Sequence, residues 1–135
     1  IDLQLIPYYN RIVNLCFYLE RNPDVKFIEN LEKLMDDPNI KGYKTSEYNQ
    51  TRWRIYGANL ELLLAVAAIR CGSMKGTECL ISYLEDIHSN FRYFSRNELC
   101  SVYGKDGGYD RAAWRKLVKD KKSLKVSPLK KSIEV

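Results

Sequence analysis

The chain has 135 residues, of which 45% are hydrophobic and 29% are charged, and its formal net charge is +5. This length fits a single domain, and this composition excludes an intrinsically disordered chain. No apolar run approaches the ~20 residues that span a bilayer, so the sequence excludes a transmembrane helix.

Two amphipathic helices are predicted in the first part of the chain. Apolar residues recur every three or four positions between residues 7 and 20, which is typical of a helix with one buried face. Asp24 has the side chain of an N-cap residue and precedes a second stripe of this kind. The second helix should end at Asp36-Asp37-Pro38, because the residue before a proline avoids helical angles. Residues 39–44 are predicted to form a loop.

A long third helix is predicted to form the centre of the bundle. Thr45 or Ser46 can cap its start, and Gly72 is placed to end it. The stretch from Leu60 to Ile69 is apolar on most faces, which is typical of a helix that is surrounded by other helices.

The next segment predicts one longer helix and one short helix. Thr77 can cap a helix whose apolar stripe continues to Phe91. Ser95 and Glu98 have the spacing of a capping box, which predicts a separate short helix that ends near Val102.

The chain then predicts a basic helix and a tail. A glycine-rich turn is predicted at 104–108, and Asp110 can cap a final helix after it. The helical pattern of this last helix ends in lysine-rich sequence. Strand signals are weak throughout. The sequence therefore predicts an all-α fold: a single compact bundle of five to six helices over residues 1–122, with a basic tail over residues 123–135.

The sequence does not support catalysis or metal binding. His88 is the only histidine, and the four cysteines lie scattered with no zinc-ligand or disulfide spacing. No glycine-rich phosphate loop follows a strand. We therefore predict a non-enzymatic protein without cofactor or metal. We also predict free thiols, and reduced cysteines favour an intracellular location, in the nucleus or the cytoplasm. Because the sequence begins at Ile1 and not at methionine, we expect a fragment or a processed product.

The positive charge is concentrated near the C-terminus. Nine lysine and arginine residues stand against one aspartate between Arg111 and Lys131. Such asymmetry favours an anionic partner, although a basic tail can also serve solubility alone. On a helix, a row of four cations would follow one face, with Trp114 on the opposite face: Arg111, Arg115, Lys119 and Lys122. That geometry is suited to following phosphates or entering a major groove.

The C-terminal half also resembles a known family. The segment Tyr93–Leu99, then Gly104, then Tyr109-Asp110 at the start of a helix is similar to the C-terminal half of BEN domains, over about Leu80 to Val118. The resemblance implies an all-α DNA-binding or chromatin-adaptor module that contacts DNA through its last helix and the preceding loop. Carried onto this chain, the implied contact residues are Lys105, Arg111, Arg115, Lys116 and Lys119.

The favoured partner is nucleic acid, in particular duplex DNA. Two other kinds of partner remain open. Arg52, Trp53 and Tyr56 place aromatic rings beside cations, a composition that suits a protein interface as well as a packed core. The chain could then be a helical protein–protein interaction module for an acidic protein surface or for a second copy, as a homodimer. An acidic-lipid surface is a weaker third choice, since the tail has few bulky apolar anchors.

Ser127 is a candidate phosphorylation site. It precedes Pro128 and has a basic residue at Lys130, the form that proline-directed kinases prefer. A phosphate there would add ~−1.5 to −2 charges to the basic tail and should weaken binding to polyanions.

Overall fold

The computed structural model describes residues 6–38, 40, 52–119 and 124–129, and the side chains of the third helix from Asn59 onward. Within these ranges the chain forms six α-helices and no strand: α1 (Ile6–Arg21), α2 (Ile28–Met35), α3 (Arg52–Cys71), α4 (Met74–Ser82), α5 (Ser89–Tyr103) and α6 (Arg111–Val118). One 3-10 turn, Val25–Phe27, precedes α2. The prediction of an all-α bundle is confirmed.

Helix α3 is the centre of the bundle. It packs against α1, α2, α4 and α5. From Leu60 to Cys71 every side chain is buried except the half-buried Leu63. Burial on all sides explains why this stretch is apolar on most faces, as predicted. The predicted caps Thr45 and Ser46 lie outside the described residues.

The first two predicted helices are present, with one difference at the start of the second. Asp24 is a cap, and its Oδ1 accepts the backbone N–H of Lys26 at 3.0 Å. The capped element is the 3-10 turn, however, and α2 begins only at Ile28. The helix ends at Met35, directly before the predicted Asp-Asp-Pro stop.

The predicted helix from Thr77 to Phe91 is wrong. Helix α4 is capped by Ser73, whose Oγ accepts the N–H of Gly76 at 3.2 Å, and it ends at Ser82. The chain then turns, and the Asp86 Oδ1 accepts the N–H of His88 at 2.9 Å before α5 begins. The helical spacing of apolar residues in the sequence therefore continues across the turn that separates α4 from α5.

The predicted capping box at Ser95 is also wrong. Ser95 lies in the middle of α5 and is buried, so it caps no helix. Glu98, the other half of the expected box, forms an ion pair with Arg70 of α3 at 3.0 Å. A tertiary contact between α3 and α5 thus accounts for Glu98, and the helix continues to Tyr103.

Candidate nucleic-acid interface

Trp114 fixes α6 to the rest of the molecule. Its side chain is fully buried and its ring lies 6.2 Å, centroid to centroid, from the ring of Tyr103. The indole Nε1–H donates to the carbonyl oxygen of Gly108 at 2.7 Å. Gly107 lies so close to the ring that an added Cβ would come within 2.7 Å of it. The indole therefore orders both α6 and the loop that precedes it.

That loop, residues 104–110, is held at several further points. Asp106 accepts the Nε–H of Arg96 at 3.1 Å and the backbone N–H of Gly108 at 2.8 Å. These donors hold the pKa of the Asp106 carboxyl well below its usual range. The Arg96 guanidinium also lies 5.3 Å from the centre of the Tyr109 ring. Because Lys105 directly precedes Asp106, its backbone is fixed while its side chain is exposed.

The start of α6 is capped as the sequence predicts. The Asp110 Oδ1 accepts the N–H of Ala112 at 2.9 Å and that of Ala113 at 3.4 Å. The aspartate satisfies two helix-end donors that would otherwise need water or a ligand. The helix therefore starts at a defined residue, which sets the directions of its basic side chains.

Arg111 and Arg115 do not lie opposite Trp114, as the sequence row suggested. They flank the buried face, and α6 packs on α4, so that Arg115 reaches Glu78 on α4 and Arg111 reaches Glu85 in the turn after α4. Arg111 Nε lies 3.2 Å from Glu85 Oε2, and Arg115 Nη2 lies 2.7 Å from Glu78 Oε1. The Glu78 contact raises the pKa of Arg115, and the donors of Arg111 lower the pKa of Glu85. Two of the predicted contact residues are thus paired with acids.

The predicted lysines have a different environment. Lys105, Lys116 and Lys119 are exposed, and none of the three forms an ion pair with any residue that the structure describes. Lys122, the last member of the predicted row, lies outside the described residues. The structure thus places three lysines without a partner among the described residues, and two arginines paired with glutamate, on α6, at its C-terminal end and in the loop before it.

The second predicted surface is not described. The side chains of Arg52, Trp53 and Tyr56 lie outside the described residues, although the backbone of these positions belongs to α3. Exposed aromatics are found instead on α1, where Phe17 is 47% and Tyr18 is 59% exposed.

Ser127 lies on the helical body. Its backbone N–H donates to the carbonyl oxygen of Arg70 at 2.8 Å, and the N–H of Leu129 donates to that of Glu20 at 2.7 Å. Part of the predicted basic tail, residues 124–129, therefore packs on the ends of α1 and α3. Arg70 is a contact that the sequence interpretation missed. A single charged residue within an apolar run was the available signal, because a buried charge requires a partner.

No metal or membrane site is found in the described part of the chain. It contains no cluster of three or more His, Cys, Asp or Glu side chains that could hold a metal ion, and none of its helices is long and apolar enough to cross a bilayer. None of the four cysteines forms a disulfide bond within the described part of the chain. Burial raises the pKa of the Cys16 thiol to about 12, which disfavours the reactive thiolate.

Comparisons with protein families, curated proteins and solved structures found nothing that matches this chain. The likeness to BEN domains thus rests on the sequence segments quoted above. In the structure these segments form the middle of α5, part of the loop at 104–110 and the N-cap of α6. The candidate interface is therefore interpreted from its geometry and charge alone.

Proposed function

We propose that this chain is a non-enzymatic module that binds duplex DNA, or connects other proteins to chromatin, through α6 and the loop before it. The observation that supports this function is a set of three exposed lysines, without an ion-pair partner among the described residues, on α6, at its C-terminal end and in the loop before it, where a buried tryptophan fixes the helix in place. The lysines are Lys105, Lys116 and Lys119.

The dimensions and rigidity of α6 suit this role. A helix with its side chains is about 10–12 Å in diameter, and the major groove of B-DNA is about 12 Å wide. Because Trp114 and Asp110 already order the helix and its start, little conformational entropy would be lost when the lysines meet phosphates. Neutralising phosphates releases counterions, which supplies affinity without base-specific contacts.

The two arginines can add to this surface. Their pairs with Glu78 and Glu85 lie at the surface, with about half of each side chain exposed. Exposed ion pairs of this kind contribute little to stability. Phosphates could therefore replace the glutamates at small cost, and Arg111 and Arg115 would become further contacts.

The wider setting follows from the same proposal. The resemblance to BEN domains supports a DNA-binding or chromatin-adaptor role that needs no cofactor. Such a role places the chain inside the cell, in the nucleus or the cytoplasm, where its cysteines would remain reduced.

A variant that removes two of the unpaired lysines tests this function. We compare Lys116→Gln/Lys119→Gln with a control of equal charge change, Lys26→Gln/Lys33→Gln, whose lysines are exposed on the 3-10 turn and on α2. Fluorescence anisotropy with labelled duplex DNA should show a loss on the order of tenfold per lysine near 0.1 M salt for the first variant. The control should stay within about twofold, because distant exposed charges are screened. Equal losses in both variants would reject α6 as the contact surface.

A second candidate function, protein–protein interaction, is favoured by one observation. Phe17 and Tyr18 are neighbouring aromatic residues exposed on α1, and Val25 is also 59% exposed just beyond that helix. Exposed apolar groups of this kind are typical of interaction surfaces. Sedimentation velocity tests the homodimer form: a concentration-dependent dimer that the change Phe17→Ser/Tyr18→Ser abolishes would support it, and a monomer at all concentrations would reject it.

A further inference from the structure

Residues Leu124–Leu129, here called the C-terminal strap, lie across the ends of α1 and α3. Two backbone hydrogen bonds fasten the strap, from the N–H of Ser127 to Arg70 and from that of Leu129 to Glu20, at 2.8 and 2.7 Å. Its first residue, Leu124, is half-buried against the core. The Leu124 carbonyl oxygen also lies close over Gly72, where an added Cβ would come within 2.8 Å of it.

A buried arginine lies beneath the strap. The Arg70 side chain is 3% exposed, and its Nη2 donates to Glu98 Oε2 and to Ser101 Oγ, each at 3.0 Å. Its Nη1 donates to the Ser127 carbonyl oxygen at 3.3 Å and lies 3.5 Å from the Ser127 Oγ. The Arg70 Nε is buried and has no hydrogen-bond partner among the described residues. The Ser127 hydroxyl is thus held directly against a buried guanidinium.

The charge of that guanidinium is already compensated. Glu98 forms the ion pair with Arg70, and a second carboxyl group, Glu20, is buried near both. Burial and the neighbouring Glu98 raise the pKa of Glu20, and Arg21 and Arg70 act in the opposite direction. Among the described residues, an additional anion at this place would therefore meet arginines that already face the carboxyl groups of Glu20 and Glu98.

The sequence around Ser127 matches the target sequence of proline-directed protein kinases. The chain has four prolines, at positions 7, 23, 38 and 128, and only Pro128 follows a serine or threonine. A proline-directed protein kinase would therefore meet a single target serine in this chain. The lysine at position 130 adds the downstream basic residue that such kinases prefer.

We propose that Ser127 is a phosphorylation site and that its phosphate releases the C-terminal strap from the helical body. In the reaction, the γ-phosphoryl group of ATP is transferred to the Ser127 Oγ and its bond to the β-phosphate oxygen breaks. ADP leaves, and the hydroxyl proton passes to the base of the kinase. Because the Ser127 side chain is half-buried, the strap must open before the kinase can hold it.

Electrostatics then disfavour return of the modified strap. The phosphate carries ~−1.5 to −2 charges at neutral pH. In the closed position it would lie beside the Arg70 guanidinium, which is already paired with Glu98. Burying an uncompensated charge costs far more than the few hydrogen bonds of the strap contribute. The open strap would carry Lys125 away from the helical body.

Hydrogen exchange on the phosphorylated chain tests the inference without any DNA. The intact chain is treated with a proline-directed kinase and ATP, and mass spectrometry locates the phosphate. We expect one phosphate, on Ser127, and none in Ser127→Ala. After phosphorylation, exchange of the Ser127 and Leu129 amides should increase at least about tenfold, while amides in the centre of α3 keep their protection.

Three results would overturn the inference. They are failure of the kinase to modify Ser127 in the intact chain, unchanged or slower exchange in the strap after modification, and loss of protection in α3 as well. The pair Ser127→Glu and Ser127→Gln separates charge from size. Faster strap exchange in the glutamate variant than in the glutamine variant is expected, and equal exchange would show that charge is not the cause.

Discussion

At the scale of single residues, α6 depends on Trp114. Replacing Trp114 by alanine would leave a cavity and remove the hydrogen bond to Gly108, so we expect a loss of ~3–5 kcal/mol in the free energy of unfolding. Urea denaturation measures this loss. Trp114→Phe, which keeps a buried ring, should lose less. A loss under ~1 kcal/mol for the alanine variant would show that the indole does not anchor the helix.

A second prediction at this scale concerns Glu20 and pH. Burial raises the pKa of Glu20 on folding, so the folded state holds its proton more tightly than the unfolded state does. Stability due to this group is therefore greatest below the unfolded pKa of ~4.3 and decreases as pH rises through the folded pKa. We expect Glu20→Gln to remove this dependence and to be more stable than the wild type at neutral pH.

Urea denaturation of both proteins between pH 4 and 8 checks the Glu20 prediction. The difference in stability should grow with pH above ~4.3 and should vanish at the acidic end, where both side chains are neutral. A glutamine variant that is less stable at every pH would mean that the Glu20 carboxylate is favourably paired in the fold.

At the scale of helices, hydrophobic periodicity predicted most of the fold. It located α1, α2, the central α3 and α6, because each has one buried face or is buried on every side. It failed between α4 and α5, where an apolar stripe ran through Ile87. That residue is 48% exposed, and the chain turns beside it through the hydrogen bond from His88 to Asp86. Spacing alone does not detect a turn that side-chain contacts fix.

The candidate site was predictable to a similar extent. Sequence spacing identified the Trp114 anchor, the Asp110 cap and the basic residues around them. It could not identify which cations are paired, because Glu78 on α4 and Glu85 in the following turn meet α6 only in the tertiary fold. The strap contact between Ser127 and Arg70 joins residues 57 positions apart, and it too depends on the tertiary fold.

The ion pair between Glu78 on α4 and Arg115 on α6 leads to a prediction about the affinity for DNA. Glu78→Gln should free Arg115 and so increase the affinity for duplex DNA, while the fold remains, since the pair is exposed. Glu29→Gln on α2 is the matched control, because it also frees an exposed basic residue, Lys33, and changes the net charge equally. Anisotropy titrations compare the two. An equal gain in both variants would mean that only net charge matters and that Arg115 makes no contact.

At the scale of the whole molecule, the outer helices of the bundle have surfaces that are open to solvent. Helix α3 is enclosed by its neighbours, whereas α6 packs chiefly on α4 and presents its lysines outward. The strap follows α6 in sequence and is fastened elsewhere, at the ends of α1 and α3. A stable centre thus supports two separate peripheral features, a basic helix and a strap that a single phosphate could release.

The salt dependence of duplex DNA binding by the unmodified chain tests the proposed function most directly. Contacts by Lys105, Lys116 and Lys119 predict a log–log slope of about −2.7, steeper if Arg111 and Arg115 exchange their glutamates for phosphates. The variant Lys116→Gln/Lys119→Gln should reduce the magnitude of this slope by about 1.8. A slope near zero, or the same slope in wild type and variant, would contradict binding through α6.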